Sequence, residues 1–153
     1  MLNSVEETKE FIRVHEGKVN KIYQDKLGYA TFGIGHLVLP EDDLQEGVEY
    51  SDMAVEEYFK KDFQKALNGA RALLSEQLDD DYPEQLLYIM TCLVFQLGQA
   101  GMRKFKKMWS ALNIPDYGLA ATELLDSRFA KQTPKRAAET AELIRSLGAW
   151  YSF

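Results

Sequence analysis

The sequence predicts an α+β protein of two lobes. A small N-terminal lobe carries a β-hairpin sheet, and one long helix joins it to a larger, all-helical C-terminal lobe. Three observations predict this. Between residues 18 and 34 the apolar spacing leaves the helical period for short runs rich in β-branched and aromatic residues. From Asp52 the apolar positions keep a helical period for about 23 residues, roughly 35 Å of helix. Beyond Pro83 almost every apolar segment is helical. The expected lobes are residues 15–58 for the β-containing one and residues 1–14 with about 75–153 for the helical one, with 52–75 connecting them.

Each element has its own signals. Ser4-Val5-Glu6-Glu7 fits a capping box, and Val5, Thr8, Phe11, Ile12 and His15 then share a helical face. Gly17 is suited to close that helix in a left-handed conformation, which places Glu16 in its last turn. Residues 21–25 and 29–34 read as a hairpin across Lys26-Leu27-Gly28. Gly33 and Gly35 suggest a bulge or a close backbone approach. Residues 37–50 read as a loop with Pro40, five acidic residues and Gly47, and with a short third strand near 48–50. Ser51 is a good cap for the long helix. Pro83 suits the first turn of the next helix, residues 83–98, which is apolar on nearly every face and should form a buried centre. Gly98 and Gly101 end it. Residues 102–112, 116–126 and 134–147 read as further helices, the last capped by Thr133 ahead of Pro134.

Composition excludes several classes. With 46% hydrophobic and 27% charged residues the chain is neither disordered nor a membrane array. The run from Leu86 to Leu97 is too short to span roughly 30 Å of hydrocarbon, so no membrane insertion is expected. The opening MLNSVEETKEF has neither a basic nor an apolar leader region, so a standard signal peptide is not expected. The single cysteine, Cys92, lies in an apolar run and reads as a small buried hydrophobe. A net charge of −6 argues against bulk nucleic-acid binding. The charge is uneven: residues 1–82 hold 18 acidic and 9 basic side chains, a balance of −9, and residues 83–153 hold 6 and 9, a balance of +3.

Chemistry gathers between residues 15 and 36, HEGKVNKIYQDKLGYATFGIGH. Glu16 sits at a helix end, Asp25 stands nine positions on, and Thr31 six beyond that. Two carboxylates across a groove suit glycoside hydrolysis, where one protonates the leaving oxygen and the other acts on a water. A threonine hydroxyl can hold that water because it both donates and accepts. By spacing alone the signal is weak, and plain surface carboxylates explain the pair better. Two histidines and no cysteine cluster argue against a metal site. GIGH lacks the rest of a dinucleotide fingerprint.

The order Glu16-Gly17, Ile22-Tyr23-x-Asp25, Gly28-Tyr29-x-Thr31-x-Gly33-Ile34-Gly35-His36 resembles the N-terminal motif of the bacteriophage-type lysozymes, most of all their T-even phage members. The gaps between Glu16, Asp25, Thr31 and His36 match without insertion, and the likeness continues at Phe95-Gln96-x-Gly98, at Ser127-Arg128 and at Gln132-Thr133-Pro134-x-Arg136-Ala137. It implies a lysozyme-like fold and a muramidase that cuts the β-1,4 bond between N-acetylmuramic acid and N-acetylglucosamine in peptidoglycan. By matching position Glu16 would be the general acid, while Asp25 and Thr31 would position the water. That division implies inversion at the anomeric carbon, and requires different environments to hold Glu16 protonated while Asp25 is ionised. The resemblance also implies substrate contacts from Gln96, Leu37 and Phe95, and supporting roles for Arg136 and for an ion pair of His36 with Asp62. By residue type alone Phe95, Phe105, Trp109 and Trp150 read as core rather than sugar platforms. No cofactor is implied, and a monomer is expected.

The chain departs from the pattern in two places. Between His36 and the long helix it is shorter than the T-even members by about a dozen residues, and Glu41, Asp42, Asp43, Glu46 and Glu49 occupy what remains. Leu27 stands where those members have an acid. An acidic enzyme on an anionic wall relies on a locally positive cleft or on salt that screens repulsion. Arg103, Lys104, Lys106 and Lys107 are candidates for the positive surface, although an exposed helix face explains them better. The resemblance implies an endolysin that waits in the host bacterial cytoplasm for release to the wall. A virion-borne wall-entry enzyme and a non-catalytic wall-binding module are the alternatives.

Overall fold

The computed structural model describes residues 1–151, with the side chains of Trp150 and Tyr151 outside the description. The expectation for Trp150 therefore lies outside the described residues. The chain divides into two compact units. One comprises residues 9–65, and the other residues 1–8 with the segment from 66 onward. The architecture is α+β, a three-stranded antiparallel sheet and seven helices among the described residues. Helices α1 (Val5–Glu16) and α2 (Asp52–Gln77) each contribute to both units.

Unit 9–65 is built around the sheet. Helix α1 starts where Ser4 Oγ accepts the Glu7 N–H at 3.1 Å and ends where Gly17, at φ 69°, returns its N–H to the Arg13 carbonyl at 2.9 Å. Strand β1 (Val19–Gln24) pairs with β2 (Ala30–Gly33), placing Ile22 opposite Phe32 and Tyr23 opposite Thr31. The third strand, β3, is His36–Leu37, which pairs Phe32 with His36 and Thr31 with Leu37. This corrects the expected strand near 48–50. There only Tyr50 touches the sheet, giving its N–H to the Asn20 carbonyl and taking the Asn20 amide on its own carbonyl. Chain reversal at Gly33 and Gly35, both with φ near +65°, brings His36 back first and takes the pairing edge of β2.

Because side chains alternate across a pleated sheet, Ile22, Phe32 and His36 share one face and Tyr23, Thr31 and Leu37 the other. The first face is the core side. Phe32 is fully buried, edge-on to Tyr50 and Tyr58, and joins Ile12, Val55, Phe59 and Phe63. The first two turns of α2 are fastened to β1 through Asp52, which accepts from Lys18 and Asn20. Arg13 of α1 lies over the Phe59 ring and forms a two-pronged pair with Glu56.

The other unit centres on α3 (Glu84–Arg103), whose residues from Leu86 to Val94 are all buried, as an all-round apolar helix requires. Gly98 breaks it, with φ 78° and ψ 160°. The chain stays helical beyond that break to Arg103, and α4 is Lys106–Asn113, so the helix expected from residue 102 begins later. Helix α5 (Tyr117–Leu125) is capped by Asp116, and a short helix α6 (Arg128–Gln132), not foreseen, is capped by Ser127. Helix α7 (Pro134–Ser146) follows, and a 3-10 turn (Leu147–Tyr151) ends the described chain. Thr133 stands at the start of α7 but does not cap it. Its hydroxyl donates to the Phe129 carbonyl and accepts from Gln96 instead. Cys92 is buried, and burial pushes its thiol up to about 12 despite the opposing charge of Arg136, which leaves it unreactive at neutral pH.

Gly33 tests the turn. A Cβ there would stand 3.1 Å from Val55 Cγ1 on a backbone that L side chains rarely adopt. Gly33→Ala should cost about 1–3 kcal/mol in urea unfolding. Adding Val55→Ala to that variant should return only the crowding part of the loss, read as a non-additive double-mutant cycle.

Candidate active site

Glu16 ends α1, half-buried, with its carboxyl against the backbone of Gly35. A Cβ on Gly35 would stand 2.7 Å from Glu16 Cδ and closer still to Oε2, so any side chain there would displace the Glu16 carboxyl. Asp25 follows β1 and organises the hairpin. Its Oδ1 accepts the N–H groups of Leu27 and Tyr29, each at 2.9 Å. Its own N–H and carbonyl bond to the Tyr29 carbonyl and the Gly28 N–H. Among the described residues Oδ2 takes no hydrogen bond.

Tyr23 marks where the two carboxylates converge. Burial raises its phenol pKa above the ordinary 10.0, and the charges of Glu16 and Asp25 raise it further. Thr31 is directly opposite Tyr23, buried, and its hydroxyl donates to the Tyr29 carbonyl at 2.9 Å. That bond uses its only proton and leaves the oxygen able to accept. Leu37, next in the same row, is 53% exposed. Glu16, Asp25 and Thr31 thus gather within unit 9–65, on the side away from Phe32. Tyr23 belongs with them and was not singled out by sequence reasoning, although its place two residues before Asp25 gives both side chains one strand face.

On the core face, His36 Nδ1 and Asp62 Oδ2 are 2.7 Å apart. A second carboxylate, Asp42 Oδ2, sits 2.7 Å from Nε2. Burial alone would lower the imidazole pKa. Hydrogen bonds and charge from Asp62 and Asp42 outweigh it and hold the ring above its ordinary 6.5. Burial likewise opposes the Asp42 charge, but the Leu39 N–H and His36 outweigh it, and the carboxyl lies below its ordinary 3.8. Asp42 is therefore part of the packing under the sheet and no mere loop acid. His15 rests 4.6 Å from the Phe11 ring on α1.

The remaining expected residues belong to the other unit. Gln96 precedes the break at Gly98, its amide nitrogen 3.3 Å from Thr133 Oγ1. Phe95 and Phe105 are half-buried, and Trp109 is core, its indole N–H held by the Met102 carbonyl at 2.8 Å. Arg136 lies in the first turn of α7. A cavity of about 810 Å³ within this unit is lined by Lys104, Lys106, Lys107 and Arg128 over Leu97, Phe105 and Phe129, with Glu123 and Asp126 also at its wall. Arg103 is not among its lining residues and pairs with Glu76 at 2.9 Å.

Residues 13–143 match the model of the phage lysozyme family. This chain belongs to that family. A "Probable T4-type lysozyme 2" of Dictyostelium discoideum is 28% identical over 87% of this chain and 90% of its own length. A "Probable T4-type lysozyme 1" of the same organism is 24% identical over 93% and 95%. The α+β fold is the lysozyme-like one, and membership supports a glycoside hydrolase of the lysozyme type.

The His36 cluster generates a pH signature. The raised histidine supplies stability in full below about pH 6.5 and loses it as pH climbs through its higher folded-state value. The lowered Asp42 supplies stability above about pH 3.8 and loses it as pH falls through its lower folded-state value. Thermal unfolding should therefore show the cluster's full contribution between those limits. His36→Asn should cost about 2–4 kcal/mol there, by leaving two poorly exposed carboxylates without their shared cation. The variant should also lose the decline in stability above pH 6.5 that the wild type owes to this group.

Proposed function

We propose that this chain is a muramidase that hydrolyses the β-1,4 bond between N-acetylmuramic acid and N-acetylglucosamine in bacterial peptidoglycan, with inversion at the anomeric carbon. The observation that carries this reading is the convergence of two carboxylates from different elements on one phenol. Glu16 from the end of α1 and Asp25 from the turn just after β1 both act on Tyr23, on the sheet face away from the core. Family membership supports the reaction class.

In this reading Glu16 gives its proton to the glycosidic oxygen as the bond from the anomeric carbon breaks. A water on the opposite side of the sugar donates one hydrogen to Asp25 Oδ2 and the other to Thr31 Oγ1. Its lone pair then faces the anomeric carbon, and its proton passes to Asp25 as the new bond forms. The hydrogen bonds already present suit this division, because Oδ1 of Asp25 and the proton of Thr31 are engaged by backbone. We assign substrate contacts to Leu37, Phe95 and Gln96, and supporting roles to Arg136, His36 and Asp62. The lysine-lined cavity offers a positive surface to anionic parts of the wall polymer. The setting we propose is release from a host bacterium's cytoplasm to its wall at lysis, with the protein acting as a monomer. Among the described residues no helix is long and apolar enough to cross a membrane.

Two experiments test the assignment. Reducing-end release from purified peptidoglycan should fall about 10²–10⁴-fold in Glu16→Gln, and the wild-type product should appear first as the α anomer by NMR. Unchanged activity in the variant sinks the acid assignment, and a β product sinks inversion. Asp25 separates chemistry from structure. Asp25→Asn keeps an acceptor for the Leu27 and Tyr29 N–H groups, so its stability should stay within about 0.5 kcal/mol, whereas Asp25→Ala should lose about 1–2 kcal/mol. Both should lose most turnover.

A further inference from the structure

We propose that the Tyr23 hydroxyl contacts the substrate, donating a hydrogen bond to an uncharged oxygen of the glycan, a sugar hydroxyl or acetamido carbonyl. The proposal rests on the muramidase reading above. Three features of the site point to it. Tyr23 faces Thr31 across the β1–β2 pair and stands two residues before Asp25, so its ring lies on the strand face that carries both. Glu16 and Asp25 both act on the phenol, yet among the described residues its hydroxyl makes no hydrogen bond. The side chain is half-buried, so the hydroxyl is neither solvated like a surface tyrosine nor consumed by the fold.

The chemistry of the partner follows from the surroundings. Burial and the neighbouring carboxylates raise the phenol above its ordinary 10.0, so near neutral pH it offers a proton and not an anion. A ligand carboxylate in the same place would be repelled by Asp25, which the proposed reaction needs ionised. The acceptor that fits is a neutral, electron-rich oxygen, which the sugar rings supply and the carboxylates of the peptide stems do not. The arrangement also explains an idle donor in the resting protein. A bond from Tyr23 to Asp25 Oδ2 would occupy the oxygen that the reaction needs for its water.

The test is Tyr23→Phe, which removes the hydroxyl and keeps the ring. With no hydrogen bond inside the protein to lose, its thermal midpoint should equal that of the wild type. Its kcat/KM on purified peptidoglycan should fall about tenfold, the worth of one neutral hydrogen bond in a desolvated site. The loss should be the same on glycan strands stripped of their stem peptides by an amidase, and both limbs of the pH–rate profile should stay in place. Undiminished activity overturns the proposal. So does a loss confined to intact peptidoglycan, which would assign the contact to the peptide, or a displaced pH limb, which would mean that Tyr23 acts through the carboxylates. A wild type that releases no reducing ends ends the muramidase reading and this proposal with it. A wild-type-like Tyr23→Phe beside an inert Glu16→Gln ends only this one.

Discussion

The reversal at Gly33-Ile34-Gly35 is the constraint on which the sheet-bearing unit depends. Both glycines hold φ near +65°, a region that costs an L side chain about 1–2 kcal/mol each. Each also stands where a Cβ would collide, Gly33 against Val55 and Gly35 against Glu16. Conformation and contact thus select glycine twice over. The turn returns the chain within two residues, so His36 lands opposite Phe32 and Leu37 opposite Thr31. The same tightness brings the Gly35 backbone against the Glu16 carboxyl. One local geometry thereby sets the third strand, the histidine beneath the sheet and the seat of the proposed acid.

The pleat then separates two kinds of chemistry across one thin sheet. Below it, Phe32 and the rings of Tyr50 and Tyr58 exclude water, and a charged imidazole there needs compensation. Two carboxylates supply it, one from α2 and one from the loop after β3, so His36 ties that loop to the helix. Above the sheet, polar groups are left with defined unused capacity: Oδ2 of Asp25, the acceptor oxygen of Thr31 and the hydroxyl of Tyr23. The backbone bonds of Asp25 and Thr31 fix which atoms remain, so the hairpin that shapes the unit also orients the groups proposed to react.

Much of this was legible in the sequence, because the signals were local. Ser4, Gly17 and the all-apolar stretch from Leu86 act within a turn or two of themselves, and each did what its chemistry suggests. The misreadings arose where a distant partner decided the outcome. Residues 48–50 have strand-forming composition, but β3 already occupies the free edge of β2. Thr133 has the right residue type for a cap, but its hydroxyl is taken by Phe129 and Gln96. Helix α6 is five residues long, too short to show a period. Within the candidate site, Glu16, Asp25 and Thr31 are proposed from the motif. The places of Asp42 beside His36 and of Tyr23 beside Thr31 were not legible, since one depends on a loop folding under the sheet and the other on strand register.

Net charge is a poor guide to the field near such a site. The acidic excess of residues 1–82 includes side chains already matched to cations: Asp42 and Asp62 share His36, Asp52 holds Lys18, Glu56 holds Arg13, and Glu76 holds Arg103. Paired charges fade over a distance shorter than isolated ones, and salt screens what remains beyond about 8–10 Å. Conversely, Lys104, Lys106, Lys107 and Arg128 line one cavity against only two carboxylates, Glu123 and Asp126, so positive charge exceeds negative there. An acidic protein can therefore present a positive surface to an anionic polymer. The sum over the sequence sets solubility, while the local pairing of charges sets what the polymer meets.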